Sequence, residues 1–440
     1  MQVSSPTTPD HRPRARWAPW AVLAFVASWP WPGVADGVLS LGAIITVAWL
    51  GMRRFRGGDA LLSREAWALT SALFFSYWLP ELLSSVDAID PLRSLREVAV
   101  DLRYLPFLWL AAIAVHRVDD RRTGYVGIAP IALLWALDGL MQATTGWSWG
   151  GVTSMGGAAS ADRVSGIFGK HLRLGQVLAS LAAFPLGILA RRAGAIGWLA
   201  VAMLFGAVIL FAGSRAAWLT FVLVLLFSGW RLLGWKRLLG VFAAGAIGVV
   251  VLAAIFPRDL HERIERTEAV FSGDAAGLDR ALSGRLRIWE AAVCMIEGHP
   301  INGVGVRGYR EAYAGCAPQL GPPAWGKGGA LHAHQIVLEI LSETGVLGLI
   351  FWLIGAALAI RAWRFAPPQA RIRAAIPAVA LAVTVFPLNT HLAFYSSFWG
   401  GLTLLLAALY AGALFGDDAV PVETQSVGAA SDDVRRVEPQ

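Results

Sequence analysis

Charge is scarce in this chain. Only 15% of its 440 residues are Asp, Glu, Lys or Arg, while 56% are apolar and 20 are tryptophan. Soluble domains carry about 25% charged residues, so this balance excludes an ordinary soluble domain and makes lipid the expected solvent. Thiols are scarce too. Two cysteines, Cys294 and Cys316, with no CxxC spacing exclude a thiolate zinc cage. Segments of about ten residues with alternating polarity are missing, which excludes an outer-membrane barrel. The first apolar run ends in WPWPG with no small-residue cleavage site, so it is read as a retained helix and not as a signal peptide. Internal repeats, paired broken helices and mid-span charges are also lacking, which argues against an inverted-repeat transporter or a proton pathway.

What the chain does have is a series of apolar runs, each near the roughly 20 residues that cross a bilayer core. They predict an all-α, polytopic membrane protein with about twelve transmembrane helices. The expected spans are Trp17 to Ala27, Val34 to Met52, Ala66 to Leu83, Val98 to Val115, Val126 to Met141, Leu174 to Ala190, Ala195 to Ala212, Ala216 to Trp230, Leu238 to Phe256, Ile336 to Ile360, Ala374 to Pro387 and Trp399 to Leu414. Even-numbered spans before the last end on basic stretches: Arg53, Arg54 and Arg56; Arg117, Arg121 and Arg122; Arg191 and Arg192; Arg231, Lys236 and Arg237; Arg361, Arg364, Arg371 and Arg373. The positive-inside rule then puts both termini in the cytoplasm. These clusters also account for the net charge of +7 without a nucleic-acid partner. The expected divisions are a cytoplasmic N-terminus (1–16), helices one to nine (17–256), a long periplasmic loop containing short helices (257–335), helices ten to twelve (336–415) and a polar, disordered cytoplasmic tail (416–440).

Polar segments on the outer side run from Ser84 to Glu97, Thr144 to Arg173, Ser214 to Arg215, Pro257 to His334 and Asn389 to Phe398. The fourth is the longest. Its nine Arg/Lys balance nine Asp/Glu, so no general polyanion patch exists there and single arginines must be judged by position. Both cysteines fall in it. In an oxidising compartment they could close a loop of about twenty residues, worth roughly 3 kcal/mol; two small buried thiols are the alternative.

Within this loop, Ser283 and Gly284 can start a short helix carrying Arg285, Trp289 and Ile296 and ending near Glu297 and Gly298. The following Pro300, Gly303 and Gly305 predict a tight turn, either an ordinary connection or a nest of N–H groups able to hold phosphate oxygens. His334 sits where polar loop becomes apolar helix; near its ordinary pKa of about 6.5 an imidazole accepts a proton from a hydroxyl at neutral pH. The alternative is a histidine that merely satisfies a helix end. His332, His334 and Glu339 form no convincing metal set, because Glu339 would fall off the face of His334 in a helix, and no outer Asp-x-Asp completes a divalent site. Asp87 and Asp90 are explained by helix or turn chemistry, and Asp119 and Asp120 lie on the cytoplasmic side. Asp101 and Arg103 make their end of the fourth span interfacial or part of a site. Arg215 follows a Gly-Ser pair between two apolar spans, which holds its charge at the outer boundary; it is either a ligand for a diphosphate or an arginine snorkelling to headgroups.

The run SGRLRIWEAAVCMIEGHPINGVGVRGYREAY, followed by HAHQIVLEILSETGVLGLIFWL, resembles the shared domain of O-antigen ligases and polymerases. The landmarks are Arg with Trp four residues on, HP-x-x-GVG, and a His-led segment running into E-x-G-x-x-G. RVSGIFGK (Arg163 to Lys170) and GSRAAWL (Gly213 to Leu219) resemble two further landmarks upstream. The family commonly has Asn after the histidine, where this chain has Gln335. The resemblance implies an inner-membrane glycosyltransferase of the O-antigen ligase type in lipopolysaccharide biosynthesis. Its donor would be a lipid-linked glycan on undecaprenyl diphosphate and its acceptor a sugar hydroxyl of lipid A-core, with inversion and without metal or cofactor. His334 would be the catalytic base; Arg215 and Arg285, with Arg163 and Arg287, would bind the diphosphate. An O-antigen polymerase is the nearest alternative, and a non-enzymatic lipid-glycan flippase is the alternative of another class.

Overall fold

The computed structural model describes residues 15–150, 163–169, 171–255, 285–316, 331–389 and 393–417. The N-terminal segment 1–14, segments 151–162, 256–284, 317–330 and 390–392, Lys170 and the tail 418–440 lie outside the described residues, and with them Phe256 as a span end and Ser283 and Gly284 as helix start. Among those described, the chain folds into fifteen α-helices and no strand: α1 (Ala18–Ala27), α2 (Pro32–Phe55), α3 (Arg64–Ser84), α4 (Pro91–Asp101), α5 (Tyr104–His116), α6 (Val118–Thr145), α7 (Leu174–Leu181), α8 (Ala183–Ala212), α9 (Arg215–Leu233), α10 (Trp235–Ile255), α11 (Arg285–Gly298), α12 (Tyr309–Cys316), α13 (Ile336–Phe365), α14 (Pro368–Thr384) and α15 (Ser397–Leu414).

By length and hydropathy, seven segments are able to cross a bilayer: α2, α4 with α5, α6, α8, α9, α13 and α15. The remaining expected spans coincide with α1, α3, α10 and α14, which are helical but are not among those seven, and with α7 continued by the first arm of α8, which the seven count together with the second arm as one segment. Inside α8 the backbone breaks at Ala193 and Gly194, the latter at φ 58°, beside the Arg191–Arg192 pair. At that φ a side chain is strained, so glycine occupies the bend between two apolar arms.

α15 sits at the centre of the bundle. Every residue from Trp399 to Leu414 is buried, as expected of a helix apolar on all sides. It packs on α5 so closely that a Cβ on Gly412 would lie 2.4 Å from the Ala112 carbonyl oxygen. Small residues at such crossings let helix backbones meet in lipid, where the hydrophobic effect does not drive association between helices. Gly416 and Asp417, at the start of the expected tail, close against α5, with the Asp417 N–H donating to the His116 carbonyl at 2.9 Å.

A second, smaller core lies outside the bundle. Ile288, Ala291, Ala292 and Met295 of α11 pack with Val304, Tyr309, Ala312, Tyr313 and Ala333. The two cysteines are joined, Cys294 to Cys316, with their Cα atoms 5.7 Å apart, tying α11 to α12.

The two glycine motifs interlock, and this resolves the turn at Gly303 and Gly305. Their φ values are 69° and 95°, but their N–H groups do not form an anion nest. Val304 N–H donates to Ser342 O at 2.8 Å and Gly305 N–H to Glu343 O at 3.0 Å, while Val346 and Leu347 N–H donate back to Pro300 and Ile301. α13 opens to allow this at Gly345, where φ is 66°. A Cβ on Gly303 would lie 2.3 Å from the Glu343 carbonyl carbon, and one on Gly345 would lie 2.2 Å from Ile301 O. The turn's donors are spent on clamping the loop to α13, so the phosphate-nest reading is set aside. Gly303→Ala should therefore lower the thermal midpoint of the detergent-solubilised protein by several degrees. Gly315→Ala, whose Cβ meets open space, should leave it within error. Equal midpoints for the two variants would sink the clamp.

Candidate functional site

His334 precedes α13, at φ 52°. Only it and Arg307, at φ 61°, hold left-handed backbone among the described non-glycine residues, and both line the same cavity. Such strain persists where surrounding structure over-determines it, and it clusters at functional sites. Three contacts hold the His334 segment. Trp289 Nε1–H donates to Ala333 O at 3.1 Å, which explains the Arg-x-x-x-Trp spacing: the indole of α11 pins the peptide before His334. Gln335 caps α13, its Oε1 accepting from Leu338 N–H at 2.6 Å. Its Nε2–H donates to Pro387 O at 2.9 Å, so the residue that departs from the family pattern acts as helix cap and as a tie to the end of α14.

Three of the arginines singled out in the sequence converge. Arg285 is pulled down to about 10, first by burial and then by Arg215 and Arg163, so both of those guanidinium groups lie within reach of Arg285. Each comes from a different element. Arg163 starts a strap fastened to α6: Gln142 Oε1 accepts from Ser165 N–H at 2.9 Å and from Gly166 N–H at 2.6 Å, and Phe168 packs edge-on to Trp135. Val164 N–H reaches Phe211 O at 3.3 Å, bringing the strap to the end of α8. There Gly213, at φ 67°, and Ser214, whose Oγ accepts from Ala217 N–H, turn the chain so that Arg215 opens α9. Arg285 opens α11. Arg287, two positions on in α11, is half-buried.

His334 links this cluster to the cavity. Its imidazole is pulled from 6.5 to about 4, first by burial and then by the Arg285 charge. The expectation of an ordinary histidine pKa is corrected: at neutral pH the ring is neutral, and buried beside Arg285 it is a weaker base than a free imidazole.

The cavity has a volume of about 660 Å³ and sits where the N-termini of α2, α5, α13 and α15 gather. The opposite ends of these helices lead to Arg53 and Arg54, Arg117, and Arg361 and Arg364, so the cavity and the basic clusters occupy opposite ends of the bundle. Its wall includes Trp29, Tyr104, Phe398 and Trp399, with Arg173, Arg307, Arg310, His171, His332 and the carboxylates Asp36, Glu339 and Glu343. Arg103 bonds Asp36 at 2.7 Å and Ser40 at 3.0 Å, which makes that end of α4 and α5 part of the cavity frame. Glu343 Oε2 accepts from Arg307 N–H at 2.8 Å. Arg173 lies 4.3 Å over the Phe398 ring and is lowered by burial.

Sequence reasoning missed most of this wall. Arg307 and Arg310 stand in GVGVRGYR, but the positive φ of Arg307 was not visible there. Glu339 was placed off the face of His334 by counting helical positions. That count fails because His334 is outside the helix, and both residues line one cavity. Asp90 does what turn chemistry demands, its Oδ1 accepting from Arg93 N–H at 3.1 Å as the cap of α4. Among the described residues no group of three or more His, Cys, Asp or Glu is placed to hold a metal ion.

The disulfide holds the helix that carries Arg285. Reduction, or Cys294→Ser, should lower the protein's stability by about 3 kcal/mol on the loop-entropy scale, read as a fall in unfolding midpoint under reducing conditions. A midpoint unchanged by reductant would show that the bond is not a structural tie.

No curated protein matches the chain. A family model does: residues 198–353 match Wzy_C, described as O-Antigen ligase, a stretch that contains Arg215, the clamp of α13 on its loop, and His334. That segment is similar to the O-antigen ligase family, and it lies in a chain whose described residues include seven helical segments long and apolar enough to cross a membrane.

Proposed function

We propose that the protein is an O-antigen ligase that transfers a glycan from undecaprenyl diphosphate to a sugar hydroxyl of lipid A-core, at the periplasmic face of the inner membrane. The observation that carries this reading is the convergence of Arg163, Arg215 and Arg285 beside His334. A group of three half-buried arginines suits a diphosphate, because guanidinium groups bind phosphate oxygens through paired N–H donors. The positive-inside rule supports the sidedness, since the arginine-rich ends lie opposite the cavity, and the disulfide fits an oxidising compartment. The twelve-span topology and the division of the chain at 257 and 335 belong to the same reading.

In the reaction, His334 takes the proton of the acceptor hydroxyl. The oxygen attacks the anomeric carbon from the side opposite the diphosphate, the carbon–oxygen bond to phosphate breaks, and its electron pair leaves on the diphosphate. The configuration inverts. The arginines offset the charge that develops on the leaving group, which departs without needing a proton. Arg287 lies near this set in sequence and takes an outer role on the diphosphate.

Deletion followed by lipopolysaccharide electrophoresis tests the reading. Bare core with accumulated lipid-linked polymer is expected of a ligase. Core bearing a single repeat unit would reassign the protein as a polymerase, and an unchanged pattern would remove it from this pathway.

A further inference from the structure

We propose that the cavity beside His334 is the acceptor subsite, with a sugar ring held by Glu339 and by Arg173, Arg307 and Arg310. The proposal rests on the glycosyl-transfer reading above and adds the residues that select its acceptor. Buried atoms without hydrogen-bond partners gather around this space: Arg173 Nη1, Arg307 Nε, Arg310 Nε, Glu339 Oε2 and His334 Nδ1. Folded proteins leave few buried polar atoms unsatisfied, and a cluster of them from separate elements marks groups kept for a ligand. Arg173 precedes α7, Arg307 follows the clamped turn, Arg310 belongs to α12 and Glu339 to the first turn of α13.

The chemistry of the wall narrows the ligand class. Guanidinium N–H groups donate and the Glu339 oxygen accepts, so the wall serves hydroxyls, which do both. A bare anion would offer the Glu339 oxygen no donor, and a lipid tail would leave every one of these atoms unsatisfied. The aromatic rings of Trp29 and Trp399 supply apolar faces for the C–H side of a sugar, and the volume falls within the roughly 300–1,000 Å³ of small-molecule sites. Acceptor, not donor, follows from the partition of charge. Arg163, Arg215 and Arg285 lie outside the cavity lining, and only His334 belongs to both groups. A general base must face the hydroxyl it deprotonates.

The test uses the full chain in detergent and, as probe, core oligosaccharide released from lipid A by mild acid. Binding is read by tryptophan fluorescence, since Trp29 and Trp399 line the space. Wild type should show saturable quenching. Arg310→Gln and Arg173→Gln, on different elements, should each weaken binding tenfold or more, whereas Arg285→Gln should bind the probe like wild type. In a transfer assay, Arg310→Gln should raise the acceptor KM tenfold with the donor KM unmoved. Wild-type affinity in both cavity variants, no binding by wild type, or a shift in donor KM alone would overturn the assignment. Probe binding that depends on Arg173 and Arg310 in a protein that transfers nothing would instead refute the transferase reading and leave the sugar site standing.

Discussion

His334→Ala is expected to lower glycan transfer by a factor of about 10²–10⁴, the usual contribution of a positioned general base, while the protein still inserts at wild-type abundance. The ring packs on that of His332, with centroids 3.9 Å apart, but it is Trp289, Gln335 and the clamp at Gly345 that shape this segment. The substitution therefore removes the proton acceptor and leaves its cradle. Purified variant and wild type are compared at saturating donor and acceptor. Transfer by the variant at the wild-type rate would sink the assignment.

The pH profile refines this test. Burial and Arg285 hold the free ring at about 4, so kcat/KM, which reports free enzyme, should fall only as pH drops toward 4 and show no inflection near 6.5. Bound diphosphate brings negative charge to the arginines and relieves the field on the ring. The acidic limb of kcat should therefore lie at higher pH than that of kcat/KM. The sign for stability agrees. An unfolded chain protonates this histidine near 6.5 and the folded chain only near 4, so its contribution is present above 6.5 and lost as pH falls through that window.

Arg285→Gln carries the second large effect, a loss of about 10²–10³ in kcat/KM, as when a preorganised group facing developing charge is removed. It also carries a signature that a general packing defect would not produce. With the Arg285 charge gone, the acidic limb of kcat/KM should move upward from about 4, because one of the two causes of the depressed value has been removed. Arg285→Lys should keep the limb near its wild-type position, since the charge remains, but recover only part of the rate, because an ammonium lacks the paired donors. A limb that stays near 4 in Arg285→Gln would separate Arg285 from His334 and dissolve the proposed link between donor site and base.

Much of this site was legible in the sequence. The apolar runs marked helices because hydropathy is a local property, and the short Gly213–Ser214 break between two such runs placed Arg215 at a boundary, where the structure adds the Ser214 cap of α9. His334 could be placed at the junction between loop and helix by the same reasoning. The partners of these residues were not legible. Gly303 read as part of a turn and Gly345 as an interior position of a spanning helix, yet each is glycine because the other's backbone approaches it. The Trp289 indole meets Ala333 across 44 positions.

Composition and charge placement by themselves determined a helical membrane protein, since lipid and helix termini impose their demands within a single element. Tertiary structure alone decided that Arg163, Arg215 and Arg285 share one field, that the cysteines pair, and that Arg173, Arg307, Arg310 and Glu339 face one cavity with His334. Those relations join elements far apart in the chain, and packing, which no local pattern encodes, is what brings them together.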